Sequence, residues 1–242
     1  MPAPFVLFGH AHLAVLAVTF ALPLVLAAIA RLSGAPLIDR TVRLAFALWL
    51  IGIWIVWFWL IFDRGWQSAQ TLLPMHLCDW ACIAVIVTML VPNQRSYELA
   101  YFWALAGTLQ GLLTPDLAVG LPDLRAVVFF GFHGGVIAGV IYLTFGSRLR
   151  PYASSIPRVI AATLIYAVSA GFVDWAFDVN FGYLRAKPAQ ASVLDFLSPW
   201  PWYIGELVGI GLLSIFVFYA PWFIADRLRP ESQARSDGAE SG

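Results

Sequence analysis

Residues 73–91 read Leu-Pro-Met-His-Leu-Cys-Asp-Trp-Ala-Cys-Ile-Ala-Val-Ile-Val-Thr-Met-Leu-Val. From Ala81 onward the stretch is apolar apart from Thr88. It predicts a membrane-crossing helix whose mouth carries His76, Cys78 and Asp79. Ionisable side chains are rare in such helices and usually functional. With about 20 apolar residues per crossing, six more spans follow, at 10–30, 42–62, 97–113, 126–145, 157–178 and 202–224. A tight turn at Pro92, Asn93 and Gln94 lies between the third and fourth, which makes those two an antiparallel hairpin. The expected fold is all-α: a polytopic membrane protein with seven transmembrane helices in residues 1–226. A polar tail at 227–242 cannot bury an apolar face and is expected to be disordered.

Composition agrees with that reading. The chain is 61% hydrophobic and 12% charged, about half the charge of a soluble domain. Its formal net charge of +0 gives no basic footprint, so no nucleic-acid partner is expected. No Lys or Arg precedes the first apolar run, so a cleavable signal peptide is not expected. Cys78 and Cys82 are one helical turn apart, a spacing that rarely reaches disulfide geometry within one helix.

Orientation follows from the 14 Lys and Arg residues. Arg31, Arg40, Arg43, Arg95, Arg148, Arg150, Arg158, Arg227, Arg229 and Arg235 fall at one set of alternate span ends. Only Arg64, Arg125, Arg185 and Lys187 fall at the other. The positive-inside rule then places the N-terminus outside and the C-terminus in the cytoplasm. In that topology Cys78, His133, Glu206, Asp63, Gln110, Asp174, Asp178, His10 and His12 collect near the outer ends of the spans. The inner halves read as almost purely apolar. The polar layer is expected to surround a hydrated cavity open to the outer leaflet.

Cys78 reads either as a small apolar filler or as a nucleophile. Pro74 suits the first turn of a helix, which puts Cys78 near a helix N-terminus, where the dipole favours thiolate. His76 would point about 200° from Cys78 on a regular helix, whereas His76 and Asp79 share a face and suit a carboxylate-oriented imidazole. The candidate base is His133, whose neighbours Gly131, Gly134 and Gly135 permit close approach of a helix or substrate. Its alternative role is an interhelical hydrogen bond. Gln110 is either an oxyanion donor or polar glue between helices. Asp174 and Glu206 would orient a histidine or pair with Arg125 or Arg185. Asn180, Tyr183, Trp200, Trp202 and Tyr203 belong to the longest connection and are expected to wall the cavity. Cys82 reads as core. Zinc-ligating residue types are present, but no tight pair spacing is, so no metal and no cofactor are expected.

Several stretches resemble the YwaF family of bacterial integral membrane proteins, related to animal transmembrane protein 164. They are Leu-Pro-Met-His-Leu-Cys-Asp at 73–79, Gln110 to Pro115, Phe-His-Gly-Gly at 132–135, and Asn-Phe-Gly-Tyr-Leu at 180–184. Lys187-Pro188 and Pro-Trp-Pro-Trp-Tyr at 199–203 complete the set. The likeness runs from His10 to about Phe216, with Met75 and Phe181 standing where Leu and Tyr are expected. It implies seven helices and a cysteine-centred acyltransferase that moves a fatty acyl chain between phospholipids. Carried over, the cysteine is Cys78, accompanied by His133 and His76. The expected protein is then a multi-pass enzyme of a bacterial cytoplasmic membrane, an acyltransferase or acyl hydrolase whose partners are phospholipid and lysophospholipid. The competing expectations are a seven-helix sensor or small-solute transporter, and a zinc-dependent lipid hydrolase.

Overall fold

In the computed structural model, residues 3–188 and 193–228 are described, and helices are the regular elements among them. They are α1 (His10–Ser33), α2 (Pro36–Asp63), the single turn α3 (Ala69–Leu72), α4 (Leu77–Leu90) and α5 (Gln94–Trp103). A π-turn, Ala104–Thr108, leads into α6 (Leu109–Leu113), followed by α7 (Leu124–Phe145), α8 (Ser155–Phe177) and α9 (Trp202–Arg227). Among the described residues, six helices are long and apolar enough to cross a membrane, counting the interrupted Ala69–Leu90 as one. The run 94–113, the fourth span of the sequence reading, is helical throughout but changes pitch at the π-turn. Of the residues in the expected tail, 229–242 lie outside the described residues.

The bundle is built on α7. Of its apolar stretch 72% is buried inside the protein, against 6% for α9, so α7 is the axis and α9 a lipid-facing flank. Three of its neighbours, α1, α2 and α4, pack on it directly. Glycines make this possible. A Cβ at Gly134 would stand 2.8 Å from Thr19 Oγ1 of α1. One at Gly135 would stand 2.8 Å from Leu50 Cδ2 and 3.0 Å from the Trp49 ring of α2. A Cβ at Gly139 would stand 2.9 Å from Val85 Cγ1 of α4. Because lipid is as apolar as the side chains, close backbone approach of this kind is what drives membrane helices together. Trp49 Nε1 also donates to the Gly131 carbonyl across 2.9 Å.

The helix containing Cys78 starts later than the sequence suggests. Pro74 disfavours helical backbone at the residue before it, and Leu73 is extended (φ −85°, ψ 125°). A tight turn at Pro74, closed by the Met75 N–H on the Leu73 carbonyl (2.9 Å), leads to His76, which is extended (φ −73°, ψ 150°) and caps α4. Pro74 therefore belongs to a break between α3 and α4 rather than to a first turn, and Cys78 is the second residue of its helix. His76 lies outside the helix, so the 200° separation from Cys78 does not apply.

The end of the bundle away from Cys78 is not purely apolar, contrary to expectation, but its polar groups are paired. Asp39 accepts from Arg43 Nε (2.8 Å), Tyr142 Oη (3.1 Å) and Ser147 Oγ (2.7 Å), and Arg43 Nη1 donates to the Met89 carbonyl (2.7 Å). Glu98 is buried and bound twice by Arg158, at 2.6 and 2.8 Å.

Gly135→Ala is expected to destabilise the bundle by about 1–3 kcal/mol, the usual cost of overpacking, seen as a lower midpoint of thermal unfolding in detergent. Gly52→Ala, where a Cβ meets nothing within 4 Å, is expected to cost nothing. Equal effects of the two would remove α7 as the packing axis.

Candidate functional site

A cavity of about 370 Å³ opens at the end of the bundle formed by the C-terminal part of α2 and the N-terminal parts of α4 and α7. Cys78, His76, Asp79 and His133, the four residues singled out from the sequence as catalytic, all line it. They come from the break before α4, the first turn of α4, and the middle of α7.

His133 is held rigidly. Its ring stacks on Phe129 (4.1 Å, 22°) and meets the Phe132 ring edge-on (5.2 Å, 74°). Nδ1 lies 2.9 Å from the Phe129 carbonyl. A carbonyl can only accept, so Nδ1 carries the proton and Nε2 of the neutral ring keeps its lone pair. The Nε2 edge lies against Gly111, where a Cβ would come within 3.3 Å of Nε2. Close helix approach here needs the missing side chain.

Cys78 is half-buried and free, and Cys82 is fully buried in the core. The Cys78 thiol is hydrogen-bonded to neither imidazole; catalytic bonds often tighten only when substrate is bound. Gly107, within the π-turn, makes room for Leu77, the residue before this cysteine, since a Cβ there would meet Leu77 Cδ2 at 2.9 Å. Single π-turns recur at functional sites.

Asp79 and His76 are joined, but not as expected. The Asp79 carboxylate accepts the main-chain N–H of His76 (2.9 Å) and so fixes the start of α4. The Asp79 N–H goes to the His76 carbonyl (3.0 Å) and not to the ring, and the imidazole has another partner: its Nε2 is 3.2 Å from Gln70 Nε2. Phe181 packs edge-on against the same ring at 4.9 Å, and Tyr183 at 6.3 Å. Burial and then the Asp116 carboxylate push the Tyr183 phenol up to about 12, so it stays protonated.

The expected walls are placed differently. Gln110 is exposed and is not among the lining residues. Asp174 is buried, and its Oδ1 accepts the Phe181 N–H at 2.6 Å. Among the described residues its carboxylate pairs with no arginine; Arg185 binds Asp178 (2.6 Å) and the Asp174 carbonyl (3.1 Å). Asn180 knots the following loop by bonds to Arg185 N–H, Ala186 N–H and the Ala186 carbonyl. Glu206 accepts from Ser198 N–H (2.8 Å) and Oγ (2.5 Å). Tyr203 is buried and donates to the Tyr183 carbonyl. Trp200 and Trp202 are exposed, Trp200 Nε1 reaching the Leu184 carbonyl at 3.2 Å. These residues shape the 180–206 connection rather than line the cavity. Residues 189–192 of it lie outside the described residues.

The aromatic walls come instead from α2 and α7: Trp54, Trp57, Phe58, Phe129 and Phe132, with Trp66 from the loop after α2. The i, i+3, i+4 spacing of Trp54, Trp57 and Phe58 was a readable signal for one helix face. Gln70, Asp116 and Arg125 also line the cavity and were not assigned to it from the sequence. Arg125 is gripped by Asp123 through Nε (2.9 Å) and Nη2 (3.0 Å). These bonds hold the Asp123 carboxyl at about 2, so the pair keeps its charges above that pH. His12 lies elsewhere, buried, its Nδ1 accepting from Phe8 N–H (3.1 Å) and its Nε2 donating to the Leu112 carbonyl (3.0 Å). His10 lines a separate cavity of about 320 Å³ beside the N-terminal segment. Among the described residues, no three His, Cys, Asp or Glu side chains stand close enough together to hold one metal ion.

Asp174→Ala is expected to free the Phe181 amide and loosen the segment that packs on His76. A charged hydrogen bond of about 1.5–3 kcal/mol is lost. Hydrogen exchange of peptides covering 178–186 should rise in this variant and stay near wild type in Asp174→Asn, which keeps an acceptor. Unchanged exchange in Asp174→Ala would show that the carboxylate does not hold the loop.

No curated protein and no solved structure matches the chain. A family model does match, over residues 7–219, which takes in every lining residue of the cavity. The chain is a membrane protein that belongs to the TMEM164 family.

Proposed function

We propose that the cavity is the active site of a membrane-embedded acyltransferase, or acyl hydrolase, that acts on phospholipid acyl chains with Cys78 as nucleophile. The observation that carries this reading is the convergence of Cys78, His133, His76 and Asp79 on one cavity with aromatic walls. A nucleophile, a base with a free lone pair and an apolar binding surface are the parts that acyl transfer needs.

The steps balance without a cofactor. His133 Nε2 takes the thiol proton, and the thiolate sulfur adds to the ester carbonyl of a phospholipid. The tetrahedral intermediate collapses, breaking the ester C–O bond. The leaving lysolipid alkoxide takes the proton back from His133, and the chain is left as a thioester on Cys78. A lysolipid hydroxyl, or water, then gives its proton to His133 and attacks the thioester. That step transfers the acyl chain and restores the thiol. The N-terminal turn of α4, with main-chain amides that have no partner within the helix and a positive dipole end, favours both the thiolate and the oxyanion.

In the same proposal the run 94–113 is the seventh crossing. Residues such as Tyr97, Phe102, Ala104 and Leu112 are buried in the bundle, so the run meets protein more than lipid and need not be as apolar as its neighbours. Its 20 residues reach about 30 Å at 1.5 Å per residue. Seven crossings would put the termini on opposite sides, and the arginine distribution supports a cavity end in the outer leaflet; the membrane in this reading is the bacterial cytoplasmic one.

Purified protein treated with a lipid-like thiol-reactive probe is expected to label at Cys78 much faster than at the buried Cys82. Labelling should fall at least tenfold in His133→Ala, and exchange of acyl chains between phospholipid and lysophospholipid should vanish in Cys78→Ala. Equal, slow labelling of both cysteines, indifferent to His133, would rule out covalent catalysis and favour a cavity that binds without chemistry.

A further inference from the structure

Gln70, one turn before the break that exposes His76, stands between the imidazole and the outer connection. Its Oε1 accepts the Asn180 main-chain N–H at 2.8 Å, and its Nε2 lies 3.2 Å from His76 Nε2. The first bond fixes which way round the amide sits, because a main-chain N–H needs an oxygen. The group presented to His76 is then the NH₂, which can only donate. We propose that Gln70 is a positioning residue for His76: it holds the imidazole Nε2 as an acceptor, keeps the ring neutral with its proton on Nδ1, and couples it to the loop that begins at Asn180.

The two cavity histidines thereby share one tautomer for different reasons. His133 takes it from a carbonyl beside Nδ1, and no hydrogen-bond donor among the described residues engages its Nε2. The lone pair of His76 Nε2 is already occupied by Gln70. His133 is the ring free to accept a proton, while His76 is left with an N–H to donate. Protonating His76 would set N–H against N–H at Gln70, and the amide cannot turn over without giving up Asn180. The titratable groups lining the cavity with His76 are Cys78, Asp79, Asp116, Arg125 and His133. Tyr183 packs on its ring from the loop, and the Asp79 carboxylate is engaged by the His76 main chain rather than the ring. The loop is tied to the same device, since Asn180 organises the turn to Ala186 with its side chain while its own N–H reaches Gln70.

The effect on turnover rests on the acyl-transfer reading; the tautomer does not. The test is ¹⁵N NMR of the full chain, labelled at its 4 histidines, in lipid nanodiscs, with His76 assigned by the signal missing from His76→Gln. Wild type is expected to give a pyridine-type Nε2 and a pyrrole-type Nδ1 for His76 near neutral pH. In Gln70→Glu the carboxylate still accepts from Asn180 but can only accept from the ring, so Nε2 should gain a proton and its resonance should move to the pyrrole or imidazolium range. Gln70→Leu should give mixed tautomers and lower acyl exchange about five- to tenfold, one hydrogen bond's contribution. Gln70→Glu should shift the pH profile. A protonated Nε2 in wild type, or a Gln70→Glu spectrum unchanged at His76, overturns the proposal. If wild type exchanges no acyl chains but the spectra behave as stated, the reaction fails and the role of Gln70 stands.

Discussion

Everything at this site depends on how closely α7 can be approached. A helix in lipid gains nothing from hiding apolar surface against other apolar surface, so contact area and hydrogen bonds have to hold it. On α7 the contact is obtained by omission: Gly131, Gly134, Gly135 and Gly139 each leave a space that a neighbouring side chain fills. With α1, α2 and α4 drawn in this far, His133 is carried on the most buried helix of the bundle. Its ring is then locked by Phe129, Phe132 and a carbonyl of its own helix. Rigid placement of this kind is what a reacting group needs.

A second constraint separates the two ends of the molecule. At the end away from Cys78, carboxylates taken out of water are matched: the half-buried Asp39 by Arg43, Tyr142 and Ser147, and the buried Glu98 by Arg158. Burying charge is tolerable when each ion has a partner and its lone pairs are used. At the cavity end the ionisable groups are brought together without satisfying one another. Cys78 is hydrogen-bonded to neither imidazole, and Asp79 is spent on the helix start. Stability would have favoured further pairing there, and its absence is the physical reason to look for function at that end.

The fold was legible where the signal was local. Apolar length and charge gave each helical run to within a few residues, and the glycines around His133 announced close packing. Pro74 was visible but misread, because a proline fits a first turn and a break equally well until the preceding residue is seen to be extended. The site was legible as a set of reactive residues and not as a set of walls. Cys78, His76, Asp79 and His133 are rare residue types in apolar surroundings, whereas the residues on α2 that enclose them look like any lipid-facing aromatic run. Trp200, Trp202, Tyr203 and Glu206 were drawn to the cavity by their chemistry, but their bonds go to the loop itself. Gln70 gave no signal, since its role exists only once Asn180, 110 residues away in sequence, is folded onto it.

If the proposed acyl transfer takes place here, the nature of the cavity also bears on which acyl donor it suits. A soluble carrier such as a CoA ester brings several phosphate charges, which need unpaired cations. Arg125, the one Lys or Arg side chain among the described lining residues, already donates two bonds to Asp123. The rest of the wall is largely Trp, Phe, Leu and Ile, surface that an acyl chain fills and a phosphate-rich carrier does not. The same wall shelters the thiol. On an oxidising face of a membrane an accessible cysteine would be consumed. Cys78 is half-buried among aromatic rings, and its neighbour Cys82 is sealed in the core without disulfide geometry to reach it. In the proposed reaction a nucleophile on that face would need a substrate that arrives through lipid, and the aromatic cavity suits such a substrate better than one that arrives through water.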